Sequence, residues 1–421
     1  MTEIECVRFQ HPVGQGGFHS ATIWVDSAPI LDYVYDCGAA IPGNGKTLPK
    51  ALKYAIRSYA PVSAGLHALF MSHFDQDHVL GVLSLVQQLG RKVKRIFVPY
   101  IDPQMAWALL IRNQAMKEDS LAQEYMEAVQ AVAGGGGLTG IPTIRIVPEG
   151  DQPESDQLDR HIRRLDDDSL QHDGDVSHGV EFGLGDTHSI QTAWRIRSWV
   201  YLYNDLKNAI REAVEKEFGS DLPDGWRTGV PDPQYLAGWL DANRRKRIKT
   251  AYKSALRATG VVGADDHNLV SMCLYSGPVL QNTNIAYMRF SERLGCCPLT
   301  HLDEFIQYPR NREYLTEAGG WIGTGDAPLK LPRVWASFDR HFRVSLPRAE
   351  TVVLPHHGSR HNFHLGLIQH ARRAVISHGS RNAYGHPHCE VAAELLRAGV
   401  PLQRVSELSP AALGELIHLA I

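Results

Sequence analysis

Four potential metal ligands lie within six consecutive residues of this chain: His73, Asp75, Asp77 and His78. They follow an apolar segment, 68–72, that predicts a short buried strand, and residues 79–93 then have the spacing of a helix. Side chains in such a strand-to-helix turn can converge on one point, and carboxylate oxygens with imidazole nitrogens suit Zn²⁺ or Mn²⁺. A polar turn with helix-capping aspartates is the alternative, but so dense a set of ligands favours a metal site.

Other ligand-type residues also follow predicted strands. Segments 319–326, 350–355 and 373–378 are apolar runs that end at polar residues. Because ligands at one end of a sheet can meet in one cleft, several such residues together indicate a single site. The residues concerned are Asp326, His356, His357, His378, His386 and His388.

Strand-like and helical runs alternate along the chain. Runs 4–9, 20–26 and 29–36 are rich in β-branched and aromatic residues with turns between them, which predicts a strand meander. Longer strands are predicted at 190–203 and 268–275. This mixture predicts a β-rich, layered α/β domain.

We expect residues 1–421 to form one domain interrupted by insertions. Residues 104–133 and 204–265 have a helical pattern, and 150–180 is a polar, acidic loop. Segment 291–318 has no role that can be read from its sequence.

Composition limits the possible classes of protein. The chain has 43 Lys and Arg against 46 Asp and Glu, a net charge of −3, which argues against coating nucleic acid by charge alone. Its first residues do not resemble a secretion signal, and no apolar run approaches the ~18 residues of a membrane span. The six cysteines form no CxxC pair. We therefore expect reduced thiols, a cytoplasmic location and no membrane partner.

The segment from His73 to His78 resembles the HxHxDH signature of the metallo-β-lactamase superfamily, with Asp75 in place of the second histidine. That variant resembles the nuclease domain of the ComEC competence protein and its soluble relatives. Further segments match this subtype in the same order, between residues 13 and 388. They are Val13-Gly14-Gln15-Gly16 (followed here by Gly17, where an acidic residue is usual), Asp36-Cys37-Gly38, Asn268 and Ser271, Thr324-Gly325-Asp326, His356-His357-Gly358-Ser359, and Asn382-Ala383-Tyr384-Gly385-His386-Pro387.

The resemblance implies an α/β fold, an αββα metallo-β-lactamase sandwich with helical insertions, in a stand-alone soluble member. It assigns His73 and Asp75 to a first metal position and Asp77 and His78 to a second, with Asp326 bridging them. The implied activity is that of a phosphodiesterase or nuclease using water activated by one or two ions of Zn²⁺ or Mn²⁺.

The resemblance also implies roles for the later histidines. His378 corresponds to a metal ligand of ribonuclease-Z-like relatives, and His356 or His357 would be a ligand or the acid that protonates the leaving group. His386 and His388 would contact substrate. With Asp77, the residues His356, His357 and His386 are the catalytic candidates.

Nucleic acid is one expected partner because one stretch of the chain is densely basic. Arg244, Arg245, Lys246 and Arg247 either bind phosphates or form a solvated helix face. Two other functions remain open. The first is hydrolysis of an amide, lactone or thioester, including protease-like activity, since one fold hosts many reactions. The second is a partner-binding role in a bacterial defence or toxin system, with the insertions as partner surfaces.

Overall fold

The computed structural model describes residues 2–40, 48–59, 65–116, 140–147, 163–164, 172–177, 181–183, 194–226, 229, 233–259, 268–278, 285–292, 312–381, 385–409 and 412–420. Within these ranges the chain forms two large β-sheets with helices packed against them. The predicted 150–180 loop and segment 291–318 lie mostly outside the described residues, as does 104–133 after residue 116.

The first sheet contains ten strands in the described part of the chain. In their order across the sheet they are β13 (Arg312–Thr316), β12 (Ile285–Glu292), β18 (Ala412–Ala420), β1 (Glu3–Gln10), β2 (Phe18–Val25), β3 (Ala28–Cys37), β4 (Ala68–Phe70), β5 (Ile96–Pro99), β6 (Thr143–Val147) and β8 (Gly174–Ser177).

The second sheet contains eight strands within the same ranges. In order they are β17 (Leu402–Val405), β16 (Arg373–Ser377), β15 (Ala349–Val353), β14 (Gly320–Gly323), β11 (Val270–Pro278), β10 (Trp194–Leu202), β9 (Glu181–Gly183) and β7 (Arg163–Arg164).

Each sheet has a run of parallel strands. In the first sheet, β3, β4, β5 and β6 are parallel neighbours, whereas β1, β2 and β3 form the antiparallel meander that the sequence predicts. In the second sheet, β14, β15, β16 and β17 are parallel. Parallel strands present their carboxyl ends at one edge, and ligands in open α/β sheets bind at such an edge.

Helices connect and cover the sheets. They are α1 (Lys50–Ser58), α2 (Gln76–Val79), α3 (Val82–Leu89), α4 (Pro103–Met116), α5 (Asn204–Phe218), α6 (Pro233–Trp239), α7 (Ala242–Ala258), α8 (Pro332–Phe342) and α9 (Cys389–Arg397). Helices α2 and α3 contact β3 in the first sheet, and α8 contacts β10 in the second.

Strand β11 shows why these layers hold together. Met272 and Leu274 belong to the core shared with the first sheet, whereas Cys273 and Tyr275 belong to the core under α8. Successive strand residues point to opposite faces, so an uninterrupted apolar strand is buried on both sides. The mixed α/β fold predicted from the sequence is confirmed, and its layers are consistent with a metallo-β-lactamase sandwich.

The predicted helix 79–93 differs from the structure. Helix α2 already begins at Gln76, and Gly81 separates it from α3, which ends at Leu89. The Gly81 N–H donates to the Cys37 carbonyl at 2.7 Å, and a Cβ at Gly81 would lie 2.8 Å from that oxygen. A continuous helix would break this contact, so the chain turns there.

Candidate metal centre

The carboxyl ends of strands from both sheets meet at one cluster of ligand-type side chains. Strand β4 leads into the turn that carries His73, Asp75, Asp77 and His78, while Asp326 follows β14 in the opposite sheet. Among the residues that the structure describes, three groups of potential ligands have atoms within 4.8 Å of one another. The groups are His73, Asp77 and His78; His78, Asp326 and His357; and His73, Asp75 and Asp326.

His78 is oriented by a buried carboxylate. Its Nδ1 lies 2.8 Å from Asp36 Oδ2. Since a carboxylate only accepts, Nδ1 carries a proton, and Nε2 is the ring nitrogen that points into the cluster. That Nε2 lies 3.5 Å from Asp326 Oδ1. Histidine ligands of metals are commonly oriented in this way, with the ring nitrogen that does not bind the metal donating to a carboxylate.

His73 is oriented in the same manner through Ser72. The Ser72 hydroxyl donates to Asp36 Oδ2 at 2.8 Å, so it accepts from His73 Nδ1, also at 2.8 Å. The His73 Nε2 lone pair then points at Asp326 Oδ2, 3.4 Å away. Asp36 therefore positions two imidazoles, one directly and one through a hydroxyl.

His357 completes the pattern from the second sheet. Its Nδ1 donates to the Ser377 carbonyl at 2.8 Å, and its Nε2 lies 3.1 Å from Asp77 Oδ2. With Nδ1 committed to a carbonyl, a neutral ring places a lone pair opposite a carboxylate oxygen. Two acceptors at this distance need a proton or a cation between them.

Three buried atoms of the cluster have no hydrogen-bond partner within the described part of the chain: His73 Nε2, His78 Nε2 and Asp326 Oδ1. Buried polar atoms are nearly always satisfied, so each such exception requires an explanation. All three are electron-pair donors of the kind that Zn²⁺ and Mn²⁺ bind. The residues present therefore fit a divalent cation.

The electrostatics of the cluster support the same conclusion. Burial opposes the charged form of His78, yet the carboxylates of Asp36, Asp326 and Asp77 raise its pKa to about 10. Burial likewise opposes ionisation of Asp77, but His78 and His357 lower its pKa below the ordinary value. The cluster thus concentrates negative charge that attracts a cation.

Asp326 is held in place by three neighbours that the sequence did not reveal in these roles. Asn268 Nδ2 donates to Asp326 Oδ2 at 2.6 Å, and Asp326 N–H donates to Ser271 Oγ at 3.1 Å. Asn362 Nδ2 donates to the Asp326 carbonyl at 2.9 Å. The resemblance identified Asn268 and Ser271 as motif residues, but Asn362 had no signal in the sequence.

The backbone is strained at three residues of the site. Asp36, His356 and His357 have φ of 59°, 48° and 55°. Residues other than glycine avoid this left-handed region, and such strain persists only where the surroundings enforce it. The turn after β15 therefore sends consecutive histidines toward different carboxylates, His357 to Asp77 and His356 to Asp326, the latter at 3.8 Å.

Asp75 has a different partner from the other carboxylates. Although its Oδ2 lies 4.0 Å from His73 Nε2, both of its oxygens accept hydrogen bonds from Arg112 in α4. No pattern in the sequence identified Arg112, because the contact joins residues 37 positions apart.

The three remaining histidines occupy three different places. His386 lies beside the cluster, with its ring centroid 5.5 Å from that of His356. His388 caps α9, its Nδ1 accepting from Glu390 N–H at 3.2 Å. His378 is absent from the ligand groups found among the described residues, and its Nδ1 contacts the Gly379 carbonyl at 3.1 Å.

The basic stretch lies on α7, and acidic neighbours already engage part of it. Arg244 pairs with Asp221 at 3.0 Å, and Arg247 pairs with Glu217 at 2.9 Å. Lys246 is exposed. Two of the four cations are thus engaged by Glu217 in α5 and by Asp221, three residues beyond its end, and binding of phosphate by this stretch stays a prediction.

None of the described helices is long and apolar enough to cross a membrane. No protein-family model matches the chain, and no curated protein matches it. Among solved structures, the chain is similar to human tRNase Z, short form, at 12% identity and a TM-score of 0.22. That match covers 46% of this chain and 60% of the human one, less than two thirds of its length. A similarity this slight assigns neither family nor function, so the site must be judged by its own geometry.

Proposed function

We propose that this chain is a divalent-metal-dependent hydrolase whose substrate is a phosphodiester, as in a nuclease or phosphodiesterase. The observation that supports this most is the fixed orientation of three imidazoles. In His73, His78 and His357, a protein acceptor holds Nδ1–H and leaves Nε2 facing a carboxylate. A bound Zn²⁺ or Mn²⁺ would act there as a Lewis acid, lowering the pKa of water and polarising a phosphoryl oxygen.

The protein's own groups would orient the reaction. His356 lies at the edge of the cluster, and its Nδ1 contacts Asn362 Oδ1 at 3.3 Å. The amide oxygen accepts, so His356 Nδ1 donates and its Nε2 side faces Asp326. When protonated, His356 could give the Nε2 proton to a leaving oxygen, with Asp326 stabilising the imidazolium. His386 lies beside it, where it could contact the substrate.

The choice of a phosphodiester is supported by the resemblance of the sequence and by the exposed cations of α7. Lys246 and Lys249 are exposed, whereas Arg244 and Arg247 are paired with acids. A phosphate backbone bound along α7 would contact these lysines first. Each such contact makes the binding affinity fall more steeply as the salt concentration rises.

The test compares two histidines that each follow a parallel strand. Chelator-treated protein is reloaded with Mn²⁺ or Zn²⁺ and assayed on bis-p-nitrophenyl phosphate and on labelled DNA and RNA. The same preparations are assayed on a lactone, a thioester and a peptide. We expect metal-dependent phosphodiester cleavage that His357→Ala abolishes and the matched control His378→Ala retains.

Two results would contradict the proposal. Cleavage of only the lactone, thioester or peptide would assign the site to another substrate class. Equal activity of His357→Ala and the unmodified protein would show that the cluster of candidate metal ligands takes no part in the reaction.

A further inference from the structure

Arg112 contacts the cluster of candidate metal ligands, here called the metal cluster, from α4. Helix α4 lies in the segment that the sequence predicts to be an insertion. Arg112 Nη1 donates to Asp75 Oδ1 at 2.9 Å and Oδ2 at 3.1 Å, and its Nη2 donates to Oδ2 at 3.1 Å. The two side chains are only 5% and 12% exposed. A forked arginine–carboxylate contact is short, directional and strong, and arginine does not lose its proton in proteins.

Helix α4 keeps this guanidinium in place. The residues before Arg112 are buried almost completely, among them Met105, Leu110 and Ile111. The helix also packs against α5 and α7. Rotation of Arg112 away from Asp75 would leave one buried charge on each side without its partner, which proteins avoid.

The other carboxylates of the cluster face a different kind of cation. Within the described residues, the ion-pair partner of Asp77 is His357, and those of Asp326 are His73, His78 and His356. A histidine can give up its proton and bind a metal, whereas an arginine cannot. One side of the cluster therefore has a guanidinium fixed on its carboxylate, whereas the other side contains only side chains that can bind a metal ion.

We propose that Arg112 is the permanent cation of the first position and limits this chain to one divalent ion. That ion would lie in the half of the cluster formed by Asp77, His78, Asp326 and His357. An ion on Asp75 Oδ2 would share that oxygen with two guanidinium hydrogen bonds and would lie next to a fixed positive charge. Arg112 is thus a positioning residue that sets the number of metal ions, and this inference rests on the proposed metal-dependent function.

The experiment counts metal ions and needs no substrate. Metal-free protein is dialysed to equilibrium against excess Mn²⁺, and bound manganese per chain is measured by mass spectrometry. Electron paramagnetic resonance then distinguishes isolated Mn²⁺ from exchange-coupled pairs. We expect one ion and an isolated signal for the unmodified protein and for Arg112→Lys. Arg112→Met, which removes the charge, should bind a second ion and show the coupled signal.

A second variant keeps the inference testable if Arg112→Met does not fold. Asp75→Asn is nearly isosteric and should still bind one Mn²⁺, because the ion does not use Asp75, although the uncompensated Arg112 charge should weaken the affinity. Two ions in the unmodified protein would overturn the inference and leave the proposed hydrolase standing. One ion in folded Arg112→Met, or loss of the ion in Asp75→Asn, would also overturn it. No ion in the unmodified protein would refute the proposed function itself, and the inference with it.

Discussion

Two clusters of buried charge differ in how they are neutralised. Between β1 and β18, Arg8 Nε donates to Glu415 Oε2 at 2.7 Å, while Glu415 Oε1 accepts from Thr351 Oγ1 at 2.5 Å and from Tyr287. Arg8 Nη1 also donates to the Gly319 carbonyl at 2.9 Å. This network joins the two sheets, and each of these contacts pairs a donor with an acceptor.

The cluster of candidate metal ligands is also buried, but its donors and acceptors are not matched by hydrogen bonds. His73 Nε2 and His78 Nε2 face the oxygens of Asp326, and neither nitrogen has a hydrogen-bond partner among the described residues. Burial of charge alone therefore does not identify a functional site. The informative property is whether the donors and acceptors of the cluster match without an added ion.

The largest effect on stability should come from removing the charge of Glu415, the partner of Arg8 in the hydrogen-bonded network between the sheets. Glu415→Gln leaves the Arg8 charge buried without a counter-ion, which typically costs about 3–5 kcal/mol of unfolding free energy. The change should be measurable by urea unfolding, with bound metal per folded chain unchanged. Glu394→Gln is the matched control, because Glu394 pairs with Arg397 on the surface and should cost under about 1 kcal/mol. Equal losses in the two variants would contradict the comparison.

Removing a carboxylate from the metal cluster should affect activity more than stability. Asp77→Ala removes a partly exposed carboxylate that His78 and His357 stabilise, so the unfolding free energy of metal-free protein should fall, but by less than in Glu415→Gln. Hydrolysis should fall by more than about 100-fold, since even partners of ligands contribute 10- to 100-fold. Parallel activity and denaturation measurements check this, with exposed Asp224→Ala as control. Full activity in the folded fraction of Asp77→Ala would contradict the assignment of Asp77 to the reaction.

A smaller effect is expected at the carboxylate behind the ligands. Asp36→Asn would weaken the orientation of both His78 and His73, and metal affinity should fall about 10- to 100-fold. Titration with Zn²⁺ against a competing chelator measures the change. Asp32→Asn is the control, since Asp32 is a buried carboxylate of the same strand that accepts from Thr22 at 2.5 Å. It should alter stability but not metal affinity.

The smallest expected effect is on how the unfolding free energy depends on pH, and it tests the role of Glu415 in the network with Arg8. Burial opposes ionisation of Glu415, but Arg8, Thr351 and Tyr287 lower its pKa below the ordinary 4.5. A depressed carboxyl pKa contributes stability above the unfolded value and loses it as pH falls through the folded value. The unfolding free energy should therefore decline more steeply below about pH 4.5 in the unmodified protein than in Glu415→Gln. Identical slopes would contradict this assignment.

The sequence predicted the parts of the site that depend on local order. The four candidate ligands from His73 to His78, and the placement of Asp326 and His357 after strands, could be predicted because strand ends are visible as apolar runs. Their roles as ligands remain proposals, whereas their convergence is a property of the fold.

The rest required the fold itself. Nothing in the sequence links Arg112 to Asp75, since the contact depends on how α4 packs. The choice between His356 and His357 depends on a left-handed turn after β15, which no residue preference announces. His378 has the same strand-end pattern as His357, yet its ring turns toward Gly379. Pattern identifies candidates, and backbone direction decides among them.

Asp36 has a further consequence for how the protein would acquire and exchange its ion. Its carboxylate also accepts from the Ser72 N–H at 2.7 Å, so hydrogen bonds within the protein already orient His73 and His78 before any ion arrives. Small zinc domains, by contrast, unfold when a chelator removes the metal. In this chain a metal ion would enter a site whose histidines are already oriented, so one ion could replace another without refolding. The ion found in cells would then reflect which metal the surroundings supply as much as which one the ligands prefer.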